Sequence, residues 1–383
     1  MGDITLRVYQ AGQVEEIRPA WQHLAETQEG AGLFAAPLWV VHYWRFRRHA
    51  GPAPQLLAGF SPDGRLVGLV PLTRVAVGLA PAWLSTIRAT HSTGEYPSDW
   101  CCARDWAPDF IAAVLAYLKS THRGWFQLTM KTVPEGSPVL EAFREHCLAN
   151  GLPHEKYNGF RVPIVRVDGP EADALELTSG KHRREISRRL REMAKRGELQ
   201  FEEIRAPEDL AKRFEEFVNV ERQGWKGREG GAIACQPDAR AFWQSLATEA
   251  AMEGRLRLHL LRCGGQTVAG QLGITWGDRY YCLKLGHDER YRRFGPGTMV
   301  TRYALQCCLD DPAIRVYDFA GAARPYMSTW STQSYGTSEL AVSHPDWIAA
   351  LRFRAYLYSK KRLRALRKIR LRPKAEHVPP ATQ

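Results

Sequence analysis

One pattern occurs twice along this chain, and it limits the available folds more than any other feature. A helical stretch is followed by two apolar, strand-like runs around a tight turn, and then by a further apolar segment. In the first half an alternating run Ile4–Tyr9 precedes a helical pattern over Val14–Thr27. Pro37 then stands where it can open another helix, and Gln55–Phe60 and Leu66–Val75 flank the turn Ser61-Pro62-Asp63-Gly64. In the second half Arg255–Arg262 and Thr267–Trp276 flank Cys263-Gly264-Gly265-Gln266, and Arg279–Leu285 follows after Gly277-Asp278. Strands interleaved with helices at these spacings predict two related α/β halves. The break between them falls at Val167–Ala174, where Asp168-Gly169-Pro170-Glu171 interrupts the pattern after the strand Phe160–Val165. The expected organisation is 1–167, then 174–345, then a basic helix over 346–372, and a disordered tail over 373–383.

A length of 383 residues fits two or three domains. The 53 Lys and Arg outnumber the 41 Asp and Glu, for a net charge of +12, which predicts attraction to polyanions: nucleic acid, anionic lipid or a phosphate-rich ligand. Much of that charge sits in two places. Lys181–Arg196 is a helical run with Ile186, Leu190 and Met193 on one side and cations over the rest. Trp347–Arg372 carries Arg352, Arg354, Lys360, Lys361, Arg362, Arg364, Arg367, Lys368, Arg370 and Arg372 with no acid between them. A solvated face, an anionic membrane or glycan surface, and RNA are the open readings of both.

No basic-then-apolar leader opens the sequence, and the longest apolar stretches, Ala31–Trp44 and Val77–Ile87, fall short of the roughly 20 residues that span a bilayer. Eight cysteines are scattered without a C-x-x-C spacing, so no structural zinc or other metal site is expected. Free thiols in a reducing cytoplasm are the reading, with the inner membrane face as a peripheral location through 347–372.

The segment Tyr280–Leu305 carries the chemistry. A strand leads into Arg292-Arg293-Phe294-Gly295-Pro296-Gly297, and a helix begins at about Thr298. Glycines there let a ligand approach the backbone, and the first N–H groups of the helix face outward with the positive dipole end behind them. Arg292 and Arg293 add charge, so the corner suits a pyrophosphate. It is neither a Walker loop nor a dinucleotide fingerprint, since Gly-Lys-Ser/Thr and a third glycine are both missing.

Arg292-Arg293-Phe294-Gly295-Pro296-Gly297 resembles the acyl-CoA pyrophosphate loop of GNAT acyltransferases. The order of further segments is similar to the second half of CelD-like acetyltransferases and Fem-type aminoacyltransferases. These segments are Lys181–Arg196, Arg222–Ile233, Val268–Ile274, the Gly-Pro-Gly loop, Tyr317-Asp318-Phe319-Ala320-Gly321 and Pro325–Trp330. The resemblance covers roughly Thr178–Gln333, and more faintly Leu33–Trp44 and Leu66–Leu72. It implies two tandem GNAT-like folds of the α/β (α+β) class, each a mixed central sheet flanked by helices. It also implies an acyl-CoA, acetyl-CoA above all, as co-substrate. One departure stands out: the family reads Tyr-Lys-x-x-Trp where this chain has Tyr326-Met327-Ser328-Thr329-Trp330.

On that resemblance an amine attacks the thioester carbonyl directly, and the protein mainly positions the reactants. Backbone groups around Leu283 and Leu285 would pair with the pantetheine arm. Arg292, Arg293, Phe294, Gly295, Gly297 and Thr298 would hold the pyrophosphate. Asp318, at the end of a strand, is the first candidate for the base, or else a carboxylate capping Gly321. Tyr326 is the candidate for the acid, or else a packing residue beside Trp330. His287 and Asp288 are alternatives. Glu221, Trp225 and Lys226 are candidates for the acceptor side, and Glu221 could be another base or else a surface charge. The implied activity is an acyl-CoA-dependent N-acyltransferase acting on a small amine such as an amino sugar or envelope-polysaccharide precursor. The alternatives are a tRNA-dependent aminoacyltransferase on the same fold and a non-catalytic binding protein. No paired nucleophile and histidine argue for a hydrolase.

Overall fold

A computed structural model describes residues 3–27, 32–46, 54–76, 85–89, 95–121, 125–331 and 333–370. The strands are β1 (Thr5–Tyr9), β2 (Gln55–Phe60), β3 (Leu66–Ala76), β4 (Ser85–Ala89), β5 (Cys101–Cys102), β6 (Trp125–Pro134), β7 (His154–Arg166), β8 (Leu199–Ile204), β9 (Leu256–Cys263), β10 (Gln266–Trp276), β11 (Arg279–His287), β12 (Val316–Asp318) and β13 (Gln333–Ser343). The helices of the first half are α1 (Val14–Thr27), α2 (Gly32–Ala35), α3 (Pro37–Phe46), α4 (Ala107–Thr121) and α5 (Pro138–Ala149). Those of the second are α6 (Gly180–Ala194), α7 (Pro207–Arg222), α8 (Trp225–Arg228), α9 (Pro237–Met252), α10 (Pro296–Leu309) and α11 (Trp347–Arg370). Prolines open α5, α7, α9 and α10, where the missing N–H costs nothing and the fixed φ favours the first turn.

Both hairpins expected from the sequence form, β2 with β3 and β9 with β10. Each half then adds a strand, a helix and a second strand parallel to the first: β4, α4 and β6, and later β11, α10 and β12. Among the described residues all strands join one mixed sheet in the order β1-β2-β3-β4-β6-β13-β7-β12-β11-β10-β9-β8, with β5 on β3. The turn at Asp168–Pro170 follows β7 as expected, yet pairing crosses it in both directions. β7, before that turn, pairs with β12; β13, the last strand, pairs with both β6 and β7. Each half thus lends a strand to the other.

Helices cover both faces. α4 and α5 bury Phe110, Val114 and Phe143 against Leu57, Val70 and Leu128. α6 and α10 cover the opposite end of the sheet through Ile186, Ala304 and Leu305, against Tyr280 and Tyr317. The largest core joins the halves: Trp21, Phe34 and Trp39 from α1–α3 meet Phe242, Trp243 and Leu246 from α9. Trp39 lies edge-on to Phe242 at 5.4 Å and to Trp243 at 6.0 Å. That core also takes Leu56 and Leu69 from β2 and β3 and Leu258 and Ile274 from β9 and β10, strands far apart in the sheet order, so the twisted sheet curls around it. α11 is a helix as expected, and it is more than a charged appendage. Ala349, Phe353 and Leu357 pack on Phe126 and Ala341 of β6 and β13. Residues 371–372, expected to end that helix, and 373–383, expected to be a disordered tail, lie outside the described residues. No described helix is long and apolar enough to cross a membrane.

Candidate functional site

The parallel pair β11–β12 creates an opening. Arg279, Tyr280 and Tyr281 pair with Val316, Tyr317 and Asp318, after which β12 ends while β11 runs on to His287. Two local features drive the strands apart. Against β10, Lys284 pairs with Leu272 and Cys282 with Gly273, which leaves Leu283 as an extra residue, a bulge that bends β11. Beyond β12, Ala320 adopts φ 56°, a left-handed conformation that costs an L residue about 1 kcal/mol, and it turns the chain away.

A cavity of about 850 Å³ occupies the gap. Tyr96, Leu283 and Lys284 wall it on one side, and Phe319, Tyr326 and Met327 on the other. At one end stand Leu285, His287, Arg292, Gly295, Gly297 and Thr298. The loop after β11 is a 3-10 turn over Glu289–Phe294, closed by Gly295 at φ 66° and ψ 49°. Only glycine holds that conformation without strain, and its Cα is also approached by Arg189, whose guanidinium would lie 2.9 Å from an added Cβ. Pro296 brings no N–H to the first turn of α10, and Thr298 and Met299 donate to the Gly295 carbonyl. The helix itself offers no acceptor to the Gly297 N–H, and no acid stands in the first turn. The corner therefore keeps the positive end of α10 bare toward the cavity, beside the mostly exposed Arg292.

Six of the eight residues expected to hold the donor line this cavity: Leu283, Leu285, Arg292, Gly295, Gly297 and Thr298. Arg293 and Phe294 do not. Phe294 is buried under α6 with Met193 and Met299, and Arg293 lies over its ring at 4.6 Å, because the tight 3-10 turn sends these two side chains away from Arg292. The Leu283 carbonyl is also taken: Tyr96 donates its hydroxyl to it at 3.0 Å in a buried contact. Tyr96 and Glu95, from the first half, were missed by the sequence reading, as were Phe160, Lys284 and Arg324. Lys284 holds its ammonium 5.0 Å from the Trp243 ring.

Asp318 faces elsewhere. Tyr317 and Phe319, on either side of it, point beneath α10, so strand alternation turns Asp318 to the opposite face. It is fully buried, accepting from Ala320 N at 2.7 Å, from Arg279 Nη1 at 2.8 Å and from the Tyr335 hydroxyl at 3.0 Å. Burial pushes its carboxyl above the ordinary value, against the pull of Arg279 and these donors. Its neighbours line a second cavity of about 580 Å³, where Glu26, Asp99, Glu135 and Asp278 join it around Arg279, Trp276 and Tyr281. Among the described residues no cation pairs with Asp99: it accepts from Trp100 N at 2.8 Å and from the Ser137 side chain, and burial raises its pKa to about 7.

The remaining candidates divide. Tyr326 stands at the cavity rim, 41 % exposed and edge-on to Phe319 at 6.4 Å. Met327 is buried, and its sulfur accepts from Arg324 N at 3.3 Å, so a charge at this position would sit inside the core. His287 lines the cavity. Asp288 is buried, caps the 3-10 turn through Arg290 N at 2.9 Å and grips the Arg290 guanidinium. Glu221 is no surface charge: it is buried and accepts from Ile233 N at 2.9 Å, anchoring the segment after α8. The backbone of Trp225 and Lys226 forms α8, and their side chains lie outside the described residues.

Among the described residues one group has the spacing of metal ligands, Glu203, His259 and Cys307, with ligand atoms within 4.8 Å of one another. Arg205 and Arg257 both approach Glu203. Burial works against its charge, but His259 and Arg205 outweigh it and hold the carboxyl at about 2. The acid is already neutralised by cations, a poor setting for a further divalent one.

The site is built from a bulged strand, a parting parallel partner and a glycine-opened helix behind them. Residues 180–328 match the family model of the acetyltransferase (GNAT) domain. Among solved structures, FemX is similar over 85 % of this chain and 95 % of its own, at 13 % identity and a TM-score of 0.59. The C-terminal domain of a candidate lysylphosphatidylglycerol synthetase from Agrobacterium fabrum is similar over 88 % of this chain and 95 % of its own, at 13 % identity and 0.54. L-PGS from Bacillus licheniformis is similar over 85 % and 91 %, at 12 % identity and 0.53. At such identities the likeness is one of fold. No curated protein matches the sequence.

Proposed function

We propose that the protein is an acyl-CoA-dependent N-acyltransferase, with acetyl-CoA as the first donor to try. The observation that carries this reading is the bare N-terminus of α10 behind Gly295, opening into a cavity that runs between β11 and the chain beyond β12. Gly295, Gly297, Thr298 and Arg292 would bind the pyrophosphate, and the edge of β11 near Leu285 would take the pantetheine arm. The thioester carbonyl would then lie in the gap between the strands. The acceptor first loses its ammonium proton to water. The free amine then attacks that carbon, the C–N bond forms as the C–S bond breaks, and the departing thiolate takes the Tyr326 proton. The surplus proton on the new amide nitrogen returns to the Tyr326 oxygen through water. With Asp318 paired to Arg279 and Asp99 part-protonated near neutrality, Glu26, Glu135 and Asp278 still leave the second cavity acidic, which favours an acceptor that arrives as an ammonium ion. All eight cysteines are free thiols, which suits a reducing cytoplasm.

The test is calorimetric titration of the full chain with CoA and acetyl-CoA, followed by transfer assays over a panel of amines with and without ribonuclease. Saturable CoA binding and ribonuclease-insensitive acetylation support the proposal. Activity abolished by ribonuclease points to aminoacyl-tRNA as donor, and CoA binding without transfer to any amine points to a binding protein.

A further inference from the structure

The last helix presents a surface that neither the core nor the proposed reaction uses. α11 turns Ala349, Phe353 and Leu357 inward at i, i+4 and i+8. On the far side Trp347, Leu351 and Tyr358 fall within about 40° of one another at 100° per residue, and they are 73, 62 and 63 % exposed. Ile348, 40 % exposed, borders this row, and Arg352 and Arg354 flank it. From Trp347 to Arg370 the sequence adds Lys360, Lys361, Arg362, Arg364, Arg367, Lys368 and Arg370 and contains no acid. A helix that only completes a fold buries one apolar stripe and shows water a polar one. Here a second apolar stripe faces water, between cations.

We propose that α11 seats the protein on an anionic lipid bilayer, lying in its surface. Trp347, Leu351 and Tyr358 enter the boundary between headgroups and acyl chains, where amphipathic rings are most stable, while the cations meet the headgroups. The helix carries too many charges to cross. The aliphatic members of the row favour lipid over nucleic acid, which rewards cations and stacked rings but gives nothing back for an exposed leucine. The proposal stands apart from the acyltransferase reading and is tested without an activity assay.

The experiment is co-sedimentation of the full chain with vesicles of phosphatidylcholine alone or mixed with phosphatidylglycerol, at low and high salt, with transfer RNA as competitor. The variants are Trp347→Ser and the triple change Trp347→Ser, Leu351→Ser and Tyr358→Ser. All three residues are exposed, so an unchanged Tm is expected and is checked first. Partitioning should be about tenfold stronger on anionic than on neutral vesicles, and the triple variant should lose about tenfold on the anionic ones. The single variant should fall between. Equal partitioning of wild type and triple variant overturns the proposal, because binding would then be charge alone. Absence of binding to anionic vesicles overturns it as well. So does tighter binding to transfer RNA that the serine changes leave untouched, which would make the helix a nucleic-acid surface.

Discussion

The two strand–helix–strand corners share a path and differ in what fills them. In the second half, β11 reaches α10 through a short loop that ends in Gly295, and the first turn of the helix has no acid. In the first half, a much longer segment separates β4 from α4, including β5 and a 3-10 turn, and Asp105 and Asp109 stand at the helix entry. Carboxylates there neutralise the helix dipole and repel anions. The space is filled as well, by Trp100 edge-on to Phe143 at 4.9 Å and to Phe110 at 6.1 Å. Part of that long segment crosses to the other half, where Glu95 and Tyr96 wall one cavity and Ser98 and Asp99 the other. One corner opens on the proposed ligand site; its counterpart is filled and supplies a wall for that cavity.

The largest expected effect concerns Asp318, whose place opposite Asp99 sets a paired carboxylate against an unpaired one. Asp318→Asn leaves the half-buried Arg279 without its counter-charge, and breaking a pair whose acid is fully buried costs about 3 kcal/mol. Chemical denaturation should register that loss, with turnover per folded molecule within about threefold of wild type, well short of the hundredfold drop typical of a lost general base. A fully stable variant about a hundredfold slower would reinstate Asp318 as the base.

Next comes the corner itself. Gly295→Val forces a β-branched residue to φ 66° and crowds the first turn of α10. CoA affinity should fall about a hundredfold, or about 2.7 kcal/mol. Gly64→Val is the matched control, since Gly64 sits at φ 80° with open space around it in the β2–β3 turn. Both variants bear similar backbone strain, and only the first should lose CoA. Equal CoA binding by Gly295→Val would remove the donor site from this corner.

The hairpins, the helix-opening prolines and the Gly-Pro-Gly corner are all local, and periodicity and turn chemistry are enough to read them. The exchange of β7 and β13 is not local. Both strands have ordinary alternating patterns, and nothing along the chain names a partner more than a hundred residues away. The same blindness hid Tyr96, a loop residue of one half that serves the other. Two signals were present and went unused. Aromatic residues on both sides of Asp318 put its side chain on the opposite face, and Phe294 among arginines marked a buried position. In α11, the absence of acids drew attention to charge, although Ala349, Phe353 and Leu357 were already spaced as a buried stripe.

A smaller effect separates the unpaired carboxylate. Asp99 is raised to about 7 in the folded protein from an ordinary 3.8, so the native state binds the extra proton. Its stabilising contribution is complete below pH 3.8 and is lost as pH rises through about 7. Between pH 6 and pH 8 the wild type should lose about 1.4 kcal/mol that Asp99→Asn does not. Urea unfolding at the two pH values checks it, and parallel slopes for the two proteins would place the Asp99 carboxyl in a wetter setting than its burial implies.

The smallest effect tests whether the first half shapes the donor cavity or only encloses it. Tyr96 is buried, stacks on Phe34 at 5.2 Å and donates to the Leu283 carbonyl, the extra residue of the β11 bulge. That carbonyl lies beyond the end of β12, where no strand pairs with it, so the hydroxyl satisfies an acceptor that the bulge leaves without a ladder partner. Tyr96→Phe keeps the ring and removes only this donor. An unsatisfied buried carbonyl costs about 1 kcal/mol, and the freed strand edge should shift relative to the first turn of α10. Stability should therefore fall by about 1 kcal/mol and CoA affinity by a few fold, both far below the Gly295→Val effects. If stability falls by that amount and CoA affinity is unchanged, the first half only closes the cavity. If affinity instead rises, the Leu283 carbonyl is a donor-binding group that Tyr96 had been holding back, and the bulge would be the place where the two halves compete for one backbone oxygen.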